Sequence, residues 1–261
     1  MSDVDVIILD VDGGAMLQAC VDSVLRQTVA PRRVIVFDNG SHVPVGQRLR
    51  ASADVYRSET NLGFTGGVNE AFRHVEAKYV ALINNDVVLD YDWLECVMKA
   101  LDDDSNLAAA QTVLRRDTKT IDGAGIDISD GTYRQLQSID GKAWGVSATT
   151  TLYRVSALGD RVFDARFFAY YEDVELCARL VASGWGMAVL PLIKATHRGS
   201  QTAPLLGRDA SRLRTRNRYW VARLHRGVGS IPALLWEDVK LLARGRSSLR
   251  GIIEGLCSRL S

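Results

Sequence analysis

Through its first 85 residues the chain alternates apolar runs with segments of helical spacing, and the apolar runs end in Asp or Asn. Val4 to Leu9 reads as a buried strand, and Leu17, Cys20, Val21, Val24 and Leu25 then recur at helical spacing before a stop at Thr28-Val29-Ala30-Pro31. Arg33 to Phe37 repeats the strand signal and Asp54 to Arg57 offers a short one. Gly66 to Ala77 reads as a helix and Tyr79 to Ile83 as a further buried strand. This β-α-β-β-α-β order predicts an α/β fold built on a mostly parallel, doubly wound sheet. Ligands of such sheets sit beyond the carboxyl ends of the strands.

Farther along, a helix is expected near Asp92 to Leu101 and a hairpin or loop insert over Asp122 to Gly131. A strand is expected around Val146 to Tyr153, a helix over Tyr171 to Ser183, and a short strand-like run over Leu192 to Thr196. From Asp209 the pattern predicts Arg-rich amphipathic helices, broken near Gly227 to Pro232 and near Gly245 to Ser247. At 261 residues and 47% hydrophobic content the chain suffices for one large domain with a small appendage.

The net charge of +1 hides an asymmetry. From Leu205 onward there are 12 Lys/Arg against 4 Asp/Glu, so the chain divides into a main domain over 1–204 and a basic helical extension over 205–261. The extension either faces an anion, such as a membrane surface or a diphosphate, or presents a solvated helical face to the acidic body. No nucleic-acid partner is expected. Cys20, Cys96, Cys177 and Cys257 stand singly, which fits a reducing compartment better than a disulfide framework or zinc site. With no leader-like head and no apolar window of about 18 residues, the expectation is a cytoplasmic protein, peripheral at most to the inner face of the plasma membrane.

Four polar clusters fall at or near strand ends: Asp10-Val-Asp-Gly13, Asp38-Asn-Gly-Ser41, Asn84-Asn-Asp86, and His197 after its apolar run. Asp and Asn are common wherever a chain leaves a strand, so each alone is explained by turn chemistry. Their repetition fits a site that breaks a glycosyl–diphosphate bond, where a hard cation held by carboxylate and phosphate oxygens stabilises the developing charge. Asp86 and His197 suit that role. Asn61-Leu-Gly-Phe-Thr-Gly-Gly-Val-Asn69 places Gly63, Gly66 and Gly67 where backbone can approach a ligand ahead of a helix; it has neither the Gly-Lys-Ser/Thr ending of a P-loop nor G-x-G-x-x-G. Glu172 and Asp173 open a helix behind the aromatic run Phe167-Phe-Ala-Tyr-Tyr171. They favour the positive end of its dipole, or one of them accepts a proton from an acceptor hydroxyl.

In this order the segments resemble the family 2 glycosyltransferases of GT-A fold, in particular the bacterial rhamnosyltransferase-like branch, over nearly the whole chain. The resemblance implies an inverting enzyme that uses Mn²⁺ or Mg²⁺ to move one sugar from a nucleotide-diphosphate donor to a hydroxyl of a glycan or lipid-linked acceptor. dTDP-rhamnose is the implied donor, with UDP-galactofuranose and other UDP-sugars as alternatives, and cell-envelope or capsular glycan synthesis the implied setting. By the same resemblance Asp10, Asp12 and Asp38 hold the nucleoside, with Asp38 reading the pyrimidine edge, and Gly66, Gly67 and Asn69 lie along the ribose and sugar. Asn84, Asn85 and Asp86 occupy the place of the family's Asp-x-Asp metal motif and His197 completes the metal site. Asp173 is the implied base, with Glu172 its rival.

The chain also departs from the family. Asp10-Val11-Asp12 stands where Thr-Tyr-Asn is common, removing an aromatic ring for the base, and Ser147-Ala-Thr-Thr-Thr151 adds hydroxyls beside the expected acceptor position. Two other classes compete: a nucleotidyltransferase, disfavoured because the loop after the first strand is acidic, and an inactive nucleotide-sugar-binding module, disfavoured by the presence of Asp86, Asp173 and His197.

Overall fold

The computed structural model describes residues 2–129, 132–139, 142–199, 208–226 and 230–258. The strands among them are β1 (Val4–Asp10), β2 (Arg33–Asn39), β3 (Asp54–Ser58), β4 (Tyr79–Asn84), β5 (Val87–Leu89), β6 (Leu107–Arg115), β7 (Ile121–Gly123), β8 (Ile126–Ser129), β9 (Thr132–Gln135), β10 (Thr150–Arg154) and β11 (Gly186–His197). The helices are α1 (Gly14–Leu25), α2 (Val45–Arg48), α3 (Gly63–Phe72), α4 (Trp93–Asp103), α5 (Val155–Leu158), α6 (Glu172–Ala182), α7 (Arg208–Val221), α8 (Ile231–Leu242) and α9 (Leu249–Cys257).

One sheet runs in the order β3-β2-β1-β4-β10-β6-β11-β5, with β7 added on β6, and β8 and β9 form a separate hairpin. β1, β2, β3 and β4 pair in parallel, as do β6 and β11, while β10 runs antiparallel between β4 and β6. The parallel half puts the ends of β1, β2 and β4 on one edge. There Asp10 lies opposite Asp38, and Leu9 opposite Asn84.

Alternation along β1 explains the two layers. Val4, Val6 and Ile8 enter a core with Leu17, Cys20 and Val21 of α1 and Trp93, Leu94 and Val97 of α4. Ile7 enters the opposite core with Val68 and Phe72 of α3, Val174 and Leu176 of α6, and Trp220 and Val221 of α7. The extension is therefore packed into the main body through α7, while α8 and α9 cover α7 with Leu234 and Ile252 against Tyr219 and Ala222. The boundary drawn at Pro204 and Leu205 lies outside the described residues, as does the tip of the Asp122 to Gly131 hairpin. Among the described residues no helix is long and apolar enough to cross a membrane.

Some bounds differ from the sequence expectation for local reasons. α3 starts at Gly63, not Gly66, because the Asn61 carboxamide oxygen accepts the Gly63 N–H at 2.8 Å and turns the chain into the helix early. β10 is confined to Thr150–Arg154, since the Ser147 N–H donates to Gln111 Oε1 at 2.6 Å instead of to a strand. β6 carries no strand-like signature: Ala108, Ala109 and Ala110 have weak strand preference, and pairing to β10 and β11 supplies what the residues lack.

Candidate active site

A cleft of about 490 Å³ opens beyond the ends of β1, β2 and β4. Its walls include Asn84, Asn85, Asp86, Glu172, Asp173 and His197, so six of the residues expected from sequence meet there. The antiparallel pairing of β11 with β5 sets His197 opposite Val87, and the Arg198 N–H donates to the Asp86 carbonyl at 2.9 Å. The result is a His197 Nε2 to Asp86 Oδ2 distance of 3.2 Å across more than one hundred residues of sequence.

His197 has a second carboxylate, which sequence reasoning did not assign. Asp122 Oδ2 lies 2.5 Å from His197 Nδ1, while Asp122 Oδ1 accepts from Arg116. Burial works against a charged imidazole here, yet Asp86 and Asp122 together hold its pKa above the ordinary histidine value. The Asp122 carboxyl is lowered overall, burial being outweighed by His197 and Arg116. A carboxylate on Nδ1 fixes the ring and leaves Nε2 toward the cleft, the arrangement metal-ligating histidines commonly have.

Asp86 is 4% exposed and its Oδ1 has no hydrogen-bond partner. A buried carboxylate oxygen left unpaired is costly unless something else meets it. Among the described residues no group of three or more His, Cys, Asp or Glu is placed to enclose a metal ion. One carboxylate oxygen and one imidazole nitrogen fit instead a hard cation that takes its remaining ligands from phosphate and water.

At the opposite wall, α6 begins at Glu172 with Glu172, Asp173 and Glu175 in its first turn. The approach is strained. Phe168 has φ 66° and ψ −59°, and the Ala169 N–H donates to the Phe167 carbonyl at 2.8 Å, which is a γ-turn of the rare hand; Tyr170 and Tyr171 follow at φ 70° and 67°. One buried side chain holds this loop: Asn217 Nδ2, on α7, lies 3.0, 2.9 and 2.7 Å from the carbonyls of Phe167, Ala169 and Tyr170. Arg216 adds a bond to the Phe167 carbonyl at 2.9 Å.

Burial raises the Asp173 pKa, against hydrogen bonds from the backbone of Val174 and Ala148. Burial and the neighbouring Asp173 charge raise Glu172, whose Oε2 is buried with no partner. Two adjacent desolvated carboxylates favour having one of them protonated, and both remain available for proton transfer near neutrality.

The residues expected along the nucleoside, ribose and sugar are bonded or packed within the scaffold around the cleft. Asp10 is buried and accepts from Asn85 Nδ2 at 2.7 Å, from the Gly13 N–H at 3.3 Å and from Arg48. Gly13 is required there, since a Cβ would lie 2.2 Å from Asp10 Oδ1 and 2.5 Å from Asn85 Nδ2. Asp38 accepts from the Ser41 and Val45 N–H groups, each at 2.9 Å, and from Arg57 at 2.5 Å; these hold its pKa down despite burial. Asp12, at φ 54°, bonds the His42 backbone and ring at 2.9 and 2.7 Å. Gly67 lets α3 approach β1, as a Cβ would fall 2.5 Å from Leu9 Cδ1, and Gly66 lies within α3 beside Leu62. Asn69 is spent on the backbone of Val162 and Phe163. None of these six lines the cleft. Val11, Asn39 and Asn61 do, with Asn39 Oδ1 accepting the Leu62 N–H at 2.9 Å.

Of the hydroxyls in the 147–151 segment, Thr149 lines the cleft, whereas Thr150 and Thr151 are fully buried in β10. Ser147 borders a smaller adjoining cavity.

The fold has relatives among solved structures. A mannosyltransferase from Pyrobaculum calidifontis, solved in complex with GDP-Man and Mn²⁺, superposes with a TM-score of 0.64 over 95% of this chain and 77% of that one, at 15% sequence identity. At that identity the likeness is one of fold. No protein with a curated description matches the chain significantly. The family model for glycosyl transferase family 2 matches residues 6–161, more than half of the sequence and the part that carries β1 to β10. The chain belongs to glycosyl transferase family 2 and is a glycosyltransferase.

Proposed function

We propose that the enzyme is inverting and metal-dependent, and that it moves a sugar from a nucleotide-diphosphate donor to an acceptor hydroxyl. The observation that carries this reading is one cleft with a half-unpaired Asp86 beside His197 on one wall and, on the other, the buried Glu172 next to a half-buried Asp173. Asp86 Oδ1 and His197 Nε2 would hold Mn²⁺ or Mg²⁺, which supplies charge stabilisation to the departing diphosphate. Val11, Asn39 and Asn61 border the nucleoside side, and Asp10 acts from behind by orienting Asn85. As the acceptor oxygen forms its bond to the anomeric carbon and the glycosyl–phosphate bond breaks, Asp173 takes the hydroxyl proton. Attack from the face opposite the leaving group inverts the anomeric centre.

The donor proposed first is dTDP-rhamnose, from the sequence resemblance; UDP-sugars are the alternative, and GDP-mannose enters because the Pyrobaculum enzyme of the same fold was solved with it. The proposed acceptor is a cell-envelope glycan or a lipid-linked sugar at an anionic membrane. Trp236, Val239, Leu249 and Ile253 are 66, 59, 62 and 54% exposed on α8 and α9, among Lys240, Arg244, Arg246 and Arg250. Apolar side chains interleaved with cations on short helices suit the interface of an anionic bilayer.

Thermal unfolding with dTDP, UDP and GDP and their sugars, each with and without Mn²⁺, tests the reading. One nucleotide is expected to raise the melting temperature only with the metal present, because a ligand that binds the native state alone stabilises it. Equal shifts with and without metal, or none with any nucleotide, would overturn it.

A further inference from the structure

Along α7 arginine recurs at 212, 214, 216 and 218, and the fold accounts for three of the four. Arg212 pairs with Asp209 and Glu254 at 3.0 and 2.8 Å. Arg216 donates to the Phe167 carbonyl and to Asn217, and Arg218 is buried against Asp238. Arg214 makes no such bond. It is exposed, its guanidinium stacks 4.3 Å from the centre of the Tyr170 ring, and it has no carboxylate partner among the described residues.

Arg214 also borders both cavities. The smaller, about 200 Å³, adjoins the main cleft at Asp173, Gln135, Tyr170 and Tyr171 and extends to Tyr133 and Arg134 of the β8–β9 hairpin. Neither Asp86 nor His197 reaches it. The donor diphosphate belongs with Asp86 and His197, so the lobe bounded by Asp173 and Arg214 is where an acceptor would lie. Of the described ionisable residues bordering the main cleft, Asp86, Glu172 and Asp173 are acids and His197 is flanked by carboxylates, leaving Arg214 as the unpaired cation among them. A guanidinium kept planar on an aromatic face, with its edge open, is built to bind phosphate or carboxylate through two parallel hydrogen bonds.

We propose that Arg214 is the anion contact of the acceptor lobe, and that the acceptor is a sugar carrying a phosphate or carboxylate near the hydroxyl that is glycosylated. This rests on the reading of Asp173 as base. Tyr133 and Tyr170 would cover the sugar ring. The carboxylate pair alone would repel such an acceptor, so Arg214 also decides its orientation by holding the anion away from Asp173.

The test titrates the full-length protein with glucose 6-phosphate, glucuronate and glucose at low salt, followed by intrinsic fluorescence, both alone and with Mn²⁺ and the nucleoside diphosphate selected by thermal shift. A charge-assisted hydrogen bond predicts that at least one anionic sugar binds roughly tenfold more tightly than glucose. Arg214→Gln is expected to bring it to within about twofold of glucose while nucleoside-diphosphate affinity holds. Preference for the phosphate arm identifies a phosphorylated or lipid-phosphate-linked acceptor, and preference for the carboxylate arm a uronic acid. Equal binding of charged and neutral sugars, or none of either, overturns the proposal. So does an Arg214→Gln loss of nucleoside-diphosphate affinity of the same size, which would assign the arginine to the donor. If no nucleoside diphosphate binds, the donor-site reading fails separately, and the titrations on the protein alone still decide the anion contact.

Discussion

The carboxylates at the ends of β1 and β2 and those at Asp86 and α6 are the same chemical groups in the same region, yet their oxygens are used differently. Asp10 and Asp38 face each other in register, fully buried, and each oxygen of both accepts at least one hydrogen bond. Asp86 Oδ1 and Glu172 Oε2 are as deeply placed and accept none. The first pair spends its capacity on Gly13, Asn85, Ser41 and Val45, and so shapes the loops that border the cleft. The second set keeps capacity for a cation or a proton, at a cost in desolvation that the scaffold offsets elsewhere. The carboxylates around the cleft thus divide into those whose oxygens are all bonded within the scaffold and those that keep an oxygen free of any partner.

The largest effect expected outside the base is at Asp86. Asp86→Ala should remove the Mn²⁺-dependent part of nucleoside-diphosphate affinity, by more than the roughly 10–100-fold that loss of a supporting partner costs, with the fold intact by circular dichroism. Calorimetry with unchanged metal-dependent affinity would break the division between the two sets. Asp122→Asn sharpens it. The substitution leaves His197 without its anionic anchor and should weaken Mn²⁺ binding by roughly 10–100-fold. An unchanged metal titration would make Asp122 only a contact that fastens β7 to the end of β11.

Asp38→Asn should behave in the opposite way. It removes an ion pair and, because the amide keeps a single acceptor oxygen, one of two backbone bonds in a buried position, so denaturant unfolding should show a loss of about 1–3 kcal/mol, while nucleotide affinity of the folded protein changes little. A drop in affinity at unchanged stability would return Asp38 to the nucleoside. The smallest effect is expected at the membrane face: Trp236→Ser should reduce partition onto vesicles rich in phosphatidylglycerol by a few-fold, in line with the apolar area lost. Equal co-sedimentation of both proteins would leave α8 as a solvated helix.

The parallel half of the sheet was legible because its strands are continuous apolar runs separated by helical spacing. That Asp86, His197, Glu172 and Asp173 meet in one cleft was legible as well, because local sequence and resemblance marked all four, while their roles rest on the proposed mechanism. β6 was not, because three consecutive alanines give a strand no signature and only its neighbours make it one. Nor was Asp122 legible as the partner of His197, or Asn217 as the clamp on the 167–170 loop, since both act through contacts that join residues far apart in sequence. The local bonds of Asp38 and Asn69 were not legible either: motif position marked both residues, but only the fold shows which backbone N–H groups they accept from.

The central claim is that the desolvated Asp173 is the base, and kcat against pH for the wild type, Asp173→Asn and Glu172→Gln tests it most directly. Burial raises both carboxyl pKa values, so wild-type turnover should climb with pH through an apparent pKa clearly above the ordinary aspartate value of about 4. The same shifts mean that the native state holds protons the unfolded chain has released. Their contribution to stability is therefore greatest below the ordinary carboxylate values and is lost as pH rises through the shifted ones. Asp173→Asn should lower kcat by roughly 10²–10⁴-fold and abolish that climb, with nucleotide affinity unchanged and Glu172→Gln milder. Retained turnover in Asp173→Asn with loss in Glu172→Gln, both folded and binding nucleotide, would exchange the roles, and unaltered turnover in both would contradict the account.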